Sequence, residues 1–212
     1  MSIGVKICGV NGPAAFDAAC EAGADWIGFN FFPRSPRYVT PAAAAGLAAR
    51  ADGGPLRVGL FVEPTDADVA TVLAALPLDA LQIYAQAARA AALRARFDRP
   101  VWHAVGVTTG ADLPRLAAGI DRLLIEAKPP PGATRPGGNA ARLDWSLLAG
   151  WRAPLPWMLA GGLDPDNVAA AIRIAQAPAV DVSSGIESAP GVKDPDRIRA
   201  FVAAAKGAIR TL

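Results

Sequence analysis

The chain has one histidine, His103, two cysteines and four lysines in 212 residues. One histidine and two thiols do not supply the ligands of a zinc site, and no protease-like triad assembles around His103. That histidine reads as a structural residue inside a strand, and no metal is expected. Cys8 and Cys20 fall close together, and a chain of this length builds its core without a covalent staple, so both read as reduced thiols. No apolar stretch reaches the roughly 18 to 20 residues that cross a bilayer. The start, Met1 to Val10, has no apolar core before a cleavage site, and the expectation is a cytoplasmic protein with no membrane partner. The 21 basic and 19 acidic residues cancel to +2, which leaves no one-signed field to gather nucleic acid.

What is present is apolar and periodic. The hydrophobic group makes up 52% of the residues and charged residues only 19%, enough for one sizeable core. Short strand-like runs recur at Gly4 to Cys8, Asp25 to Phe31, Leu56 to Val62, Ala80 to Tyr84, Val101 to Val105, Leu123 to Glu126, Leu155 to Leu159 and Val180 to Ser183. Helical patterns fill the gaps, several with start signals: Gly12-Pro13, Thr40-Pro41, Thr65, Asp164-Pro165 and Asp194-Pro195. Strands that alternate with helices, without a long linker, imply an α/β fold of one domain over residues 1–212, a single (β/α)8 barrel. The competitor is an open doubly wound sheet, but no Gly-x-Gly-x-x-Gly follows the first strand.

In such a barrel the chemistry gathers where strands end. Cys8 ends the first strand and reads either as a base or nucleophile, if a neighbouring cation lowers its pKa, or as an inert core thiol. Cys20 lies on the packing stripe of the first helix. Glu126 ends the sixth strand after three apolar residues, where a carboxyl acts as an acid or base, or pairs with Lys128 or an arginine. Arg34 and Arg37 stand in a proline-stiffened loop after strand two, where one of them fits an anion or both decorate the surface. After strand seven, Gly161-Gly162 lets backbone approach a ligand. After strand eight, Ser183-Ser184-Gly185 suggests one helical turn whose N–H groups and hydroxyls hold a phosphate, or simple turns and caps.

Taken together, Lys6-Ile7-Cys8-Gly9, Ser35-Pro36-Arg37-Tyr38, Val58-Gly59-Leu60-Phe61-Val62, Pro136-Gly137-Gly138, Leu159-Ala160-Gly161-Gly162-Leu163 and Asp181-Val182-Ser183-Ser184-Gly185-Ile186-Glu187 resemble the phosphoribosylanthranilate isomerases of tryptophan biosynthesis. The resemblance runs along nearly the whole chain. It implies a barrel enzyme that performs an Amadori rearrangement on a phosphoribosyl substrate without metal or cofactor, as a monomer or small homo-oligomer. Residue by residue, it implies Cys8 as general base and Glu126 as general acid. Arg37 would contact the anthranilate part, and Asp181, Gly161, Gly162, Ser184 and Gly185 would bind the rest of the substrate. Three positions depart from the family pattern: Glu126 replaces the usual aspartate, Tyr84 the usual histidine, and Ala140 the usual glycine. Two other readings remain: a weakened barrel that only binds a phosphorylated sugar, and an isomerase for a related aminoaldose phosphate with two phosphate groups.

Overall fold

Eight of the apolar runs become strands in the computed structural model, which describes residues 2–130, 132, 137 and 142–208. They are β1 (Gly4–Cys8), β2 (Trp26–Asn30), β3 (Leu56–Val62), β4 (Ala80–Tyr84), β5 (Val101–Val107), β6 (Arg122–Ala127), β7 (Trp157–Leu159) and β8 (Ala179–Val182). Each pairs in parallel with the next, and β8 pairs back onto β1 to close the barrel. Parallel strands are covered on both faces, which is why these runs are apolar almost throughout instead of alternating. The closed ring is the (β/α)8 barrel expected from the sequence, and it excludes the open sheet.

Among the described residues six α-helices pack outside: α1 (Pro13–Glu21), α2 (Pro41–Ala48), α3 (Asp66–Ala75), α4 (Ala87–Phe97), α5 (Val168–Ala175) and α6 (Pro195–Lys206). The caps read from the sequence operate at α2, where Thr40 accepts from the Ala43 N–H, and at α6, where Asp194 accepts from Asp196 and Arg197. At α3, Thr65 and Asp68 form a reciprocal capping box. Three expectations change. After β5 and β6 the described residues form only 3-10 turns, at Gly110–Asp112 and Trp145–Leu148. Pro114 and Gly119 interrupt the first segment, and Pro129 and Pro130 remove backbone donors from the second. Helix α5 begins at Val168 rather than at Pro165, because Asp164 spends its carboxylate on the N–H groups of Asp166 and Asn167 in a preceding turn. Pro136, Gly138 and Ala140 lie outside the described residues.

Two packed layers result. The larger lies between strands and helices and includes Ile7, Phe16, Ile27, Leu81, Ile172 and Phe201. The smaller fills the barrel axis with Val58, Ala80, Trp102, Leu124, Met158, Ala160 and Ala179. At the strand starts, Trp26 and Trp102 meet edge to face at 5.5 Å, and the Arg122 guanidinium lies 4.9 and 5.0 Å from their ring centres. This cation–π cluster closes the bottom of the barrel. The strand ends carry polar residues such as Cys8, Glu126 and Asp181 around a cavity. No described helix is long and apolar enough to cross a membrane.

Phe201 is fully buried in the outer layer. Phe201→Ala is expected to cost about 3–5 kcal/mol in urea unfolding. Leu116→Ala, at a side chain 89% exposed, should change stability by less than about 0.5 kcal/mol.

Candidate active site

The strand ends surround a cavity lined among others by Cys8, Arg37, Tyr84, Glu126, Asp181 and Ser184. Of the eight residues singled out from the sequence, seven line it: Cys8, Arg37, Glu126, Gly161, Gly162, Asp181 and Ser184. Gly185 does not. A Cβ there would overlap the Leu163 carbonyl, so Gly185 fixes the close approach of the loops after β7 and β8 from behind the cavity.

Cys8 is buried at the end of β1. Its ladder partner on β2 is Gly28, where a Cβ would stand 3.1 Å from the Cys8 Sγ and 3.0 Å from the Lys6 Nζ. Gly28 thus leaves space for two functional atoms. Lys6 is fully buried and its Nζ donates to Asp181 Oδ1 at 2.7 Å. Burial opposes the ammonium, but Asp181 and the Cys8 sulfur outweigh it and raise the lysine's pKa. Burial also pushes the Cys8 thiol up, and Asp181 adds to the effect against the pull of Lys6 and Lys193. The neighbouring cations therefore do not bring the thiol's pKa below its usual value in the free site.

Glu126 is buried at the end of β6. Desolvation raises its pKa to about 8, against the favourable effect of the Tyr84 hydroxyl on the carboxylate. Lys128 is exposed and forms no ion pair with it among the described residues. No arginine among the described residues pairs with it either. Tyr84 is raised well above its usual value by burial and by Glu126, and stays a phenol. A Cβ on Gly137 would stand 2.7 Å from the Tyr84 hydroxyl and 3.0 Å from Glu126 Oε1. Gly137 therefore lies directly against the pair.

Arg37 is only 3% exposed, whereas Arg34 is at the surface. Asn30 and Ser35 tie the loop that delivers it: Asn30 Nδ2 donates to Ser35 Oγ, which also accepts from the Arg37 N–H. One edge of the guanidinium is held by Glu187, with Nε to Oε1 at 2.6 Å and Nη2 to Oε2 at 2.9 Å. Lys193 joins the same carboxylate at 2.8 Å and donates to the Ser183 carbonyl and hydroxyl. Burial alone would raise Glu187, but Arg37 and Lys193 hold its carboxyl below the usual range. Glu187 and Lys193 come from a hairpin, β9 (Glu187–Ala189) with β10 (Val192–Lys193), that no strand pattern in the sequence announced. The hairpin's Gly191, at φ +82°, abuts the Pro36 carbonyl.

Gly161 and Gly162 both take positive φ, 84° and 64°, a conformation that suits glycine. Asn167 Nδ2 donates to the Gly162 carbonyl and fixes the turn. Across from it, Ser184–Ile186 forms one 3-10 turn, whose first N–H groups have no partners within the turn. No described hydrogen bond uses the N–H groups of Gly161, Gly162, Ser184 or Gly185. Lys6, Glu187 and Lys193 are site residues that motif reading passed over. Two signals were available for Lys6: it stands two residues before Cys8 on a strand, so both side chains face inward, and it is a charge inside an apolar run.

The raised carboxyl also affects stability. Glu126 ionises near 4.5 when exposed and near 8 in the folded chain, so the folded state binds a proton that the unfolded state has released. The resulting stabilisation is complete below pH 4.5 and is lost as pH rises through 8. In urea titrations the stability of Glu126→Gln relative to the parent should therefore rise across that window. A difference that stays flat with pH would show that the carboxyl is not buried as described.

The chain's similarities agree with this layout. The family model for N-(5'-phosphoribosyl)anthranilate (PRA) isomerase matches residues 5–204. The chain is 58% identical over 203 residues to the N-(5'-phosphoribosyl)anthranilate isomerase of Acidiphilium cryptum, covering 96% of this chain and 98% of that one. The crystal structure of phosphoribosyl anthranilate isomerase from Thermotoga maritima superposes with a TM-score of 0.84 at 34% identity, covering 97% and 99% of the two chains. A crystal structure of a phosphoribosyl anthranilate isomerase in complex with reduced 1-(o-carboxyphenylamino)-1-deoxyribulose 5-phosphate superposes at 0.81, with 32% identity and the same coverage. With a match that runs from the first strand into the last helix, this chain belongs to the N-(5'-phosphoribosyl)anthranilate isomerase family.

Proposed function

We propose that this barrel converts N-(5-phosphoribosyl)anthranilate to 1-(2-carboxyphenylamino)-1-deoxyribulose 5-phosphate, with Glu126 as general acid and Cys8 as general base. The observation that carries the assignment is a carboxyl kept protonated to about pH 8 in one cavity with a thiol at the end of β1. Ring opening needs a proton at the furanose oxygen as the C1–O bond breaks and the nitrogen lone pair forms C1=N. A carboxylic acid that still holds its proton at neutral pH can give it. Cys8 as thiolate then removes the proton on C2, and the electron pair flows toward the iminium nitrogen to leave an enolamine. Protonation at C1 and loss of the proton on O2 give the ketone, so the reaction balances as an isomerisation.

Binding follows the same geometry. The free amides of the two loops after β7 and β8, with the Ser184 hydroxyl, suit a phosphate dianion. Glu187 occupies one edge of the Arg37 guanidinium, and the remaining Nη1 edge suits the anthranilate carboxylate. On this reading the two anionic groups of the substrate meet separate parts of the cavity wall, with the reacting carbons near Glu126 and Cys8.

Turnover of freshly made phosphoribosylanthranilate, followed by loss of its fluorescence, tests the reading. Cys8→Ser and Glu126→Gln should each lower kcat by about 10²–10⁴-fold while calorimetry shows that the reduced product analogue still binds. Tight binding by a parent chain without turnover would leave a binding-only barrel. Complementation of a histidine auxotroph but not a tryptophan auxotroph would point to the aminoaldose substrate. The pH profile is a second test. Glu126 must be protonated, which fails as pH rises past about 8; Cys8 must be ionised, which burial delays to higher pH than in a free thiol. The two conditions overlap best between those values, so kcat/KM should peak above pH 8. A maximum at neutral pH overturns the pairing.

A further inference from the structure

A buried lysine in a barrel interior calls for a reason. Replacing a buried ion pair with apolar side chains of similar volume is often neutral or stabilising, so stability alone does not explain Lys6 and Asp181. Their positions do suggest one. Lys6 and Cys8 are two residues apart on β1 and share its inward face, while Asp181 reaches Lys6 from its ladder partner position on β8. Gly28 contributes no side chain between them, and the Lys6 Nζ and Cys8 Sγ crowd the same bare Cα face at 3.0 and 3.1 Å from where a Cβ would stand. The ammonium is held by the Asp181 carboxylate, and the Cys8 sulfur lies near it over the same bare face.

We propose that Lys6, locked by Asp181, is a positioning residue for proton abstraction: its ammonium stabilises the thiolate that Cys8 becomes when it acts as the base, and offsets the Asp181 charge that would oppose it. This rests on the reading of Cys8 as the base. The charged and titratable groups around that sulfur are Lys6 on β1, Asp181 on β8, Lys193 on β10 with its partner Glu187 on β9, and Tyr84 on β4 backed by Glu126 on β6. Burial and Asp181 disfavour the thiolate, and Lys6 and Lys193 favour it. Of the two lysines, Lys6 has the larger effect on Cys8 and stands on the same strand face, whereas Lys193 reaches Glu187 and Ser183. No proton leaves Lys6 in this scheme, so it needs no partner to reset it.

The test reads the sulfur directly. In a Cys20→Ala background, where Cys8 is the sole thiol, ultraviolet thiolate absorbance and iodoacetamide alkylation are followed against pH. Lys6→Met should move Cys8 ionisation upward by about one pH unit or more. The kcat/KM maximum should move with it, kcat should fall, and the reduced product analogue should still bind. Lys6→Arg should restore part of both shifts. If Lys6→Met does not fold, the comparison passes to Asp181→Asn with and without Lys6→Met, where Cys8 should ionise at lower pH when the lysine is present. Unmoved Cys8 ionisation, or a drop in kcat with no displacement of the pH profile, overturns the proposal. Failure of the base assignment itself shows separately, as full kcat in Cys8→Ser.

Discussion

The contact between Lys6 and Asp181 joins residues 175 positions apart, and it exists only because the sheet closes. In an open sheet β1 and β8 would be distant, and each would bury an unpaired charge at a cost of several kcal/mol. Closure supplies the partner, and the partner in turn fixes the register of the seam: Lys6 stands opposite Asp181, and Ile7 opposite Val182. A slip of one residue along the seam would turn either charge into the helix-facing layer. The ion pair therefore specifies how the barrel closes, while the apolar layers supply most of the stability. Cys8, two residues beyond Lys6, inherits its place from that register.

The same cluster explains how the cavity holds little net charge before substrate arrives. Lys6 and Asp181 cancel, while burial keeps Cys8 and Glu126 protonated at neutral pH. Arg37 and Lys193 share the single carboxylate of Glu187. That leaves one excess positive charge in the Arg37 network, together with loop amides, to meet an anionic ligand. Net charge over the whole chain, +2, says nothing of this arrangement. The selectivity of the site for anions comes from where partial charges point.

The strands were legible because a parallel barrel demands apolar residues on both faces, and each run ends at a turn residue or a charge. Five of the six α-helices begin at or within a residue of their sequence signals or in the expected gap; α5 starts later because a capping aspartate was satisfied one turn early. The segments after β5 and β6 were read as helices from the βα rhythm alone, although their own prolines argued against it. In the site, residues that end strands were found by rule, because the rule follows from the fold. Gly185 sits in the loop to which the fold rule points; the Leu163 carbonyl against its Cα comes from the loop after β7 and leaves no local trace in the sequence. Glu187 and Lys193 were missed for the same reason. Their partners, Arg37 and Ser183, are brought to them by a hairpin too short to carry a pattern.

That hairpin carries the remaining step of the synthesis. Arg37 arrives from the loop after β2 and the Ser183–Ser184 turn from the loop after β8, two loops with no sequence proximity. Glu187 holds the first and Lys193 the second, and the two are bonded to each other. An Arg37 set loose from Glu187 would still be a cation, but its free edge would no longer have a fixed direction, and a bidentate partner needs that direction more than the charge. One hairpin therefore ties the Arg37 loop to the turn after β8 through Glu187 and Lys193, and fixes how these two parts of the cavity wall stand relative to each other.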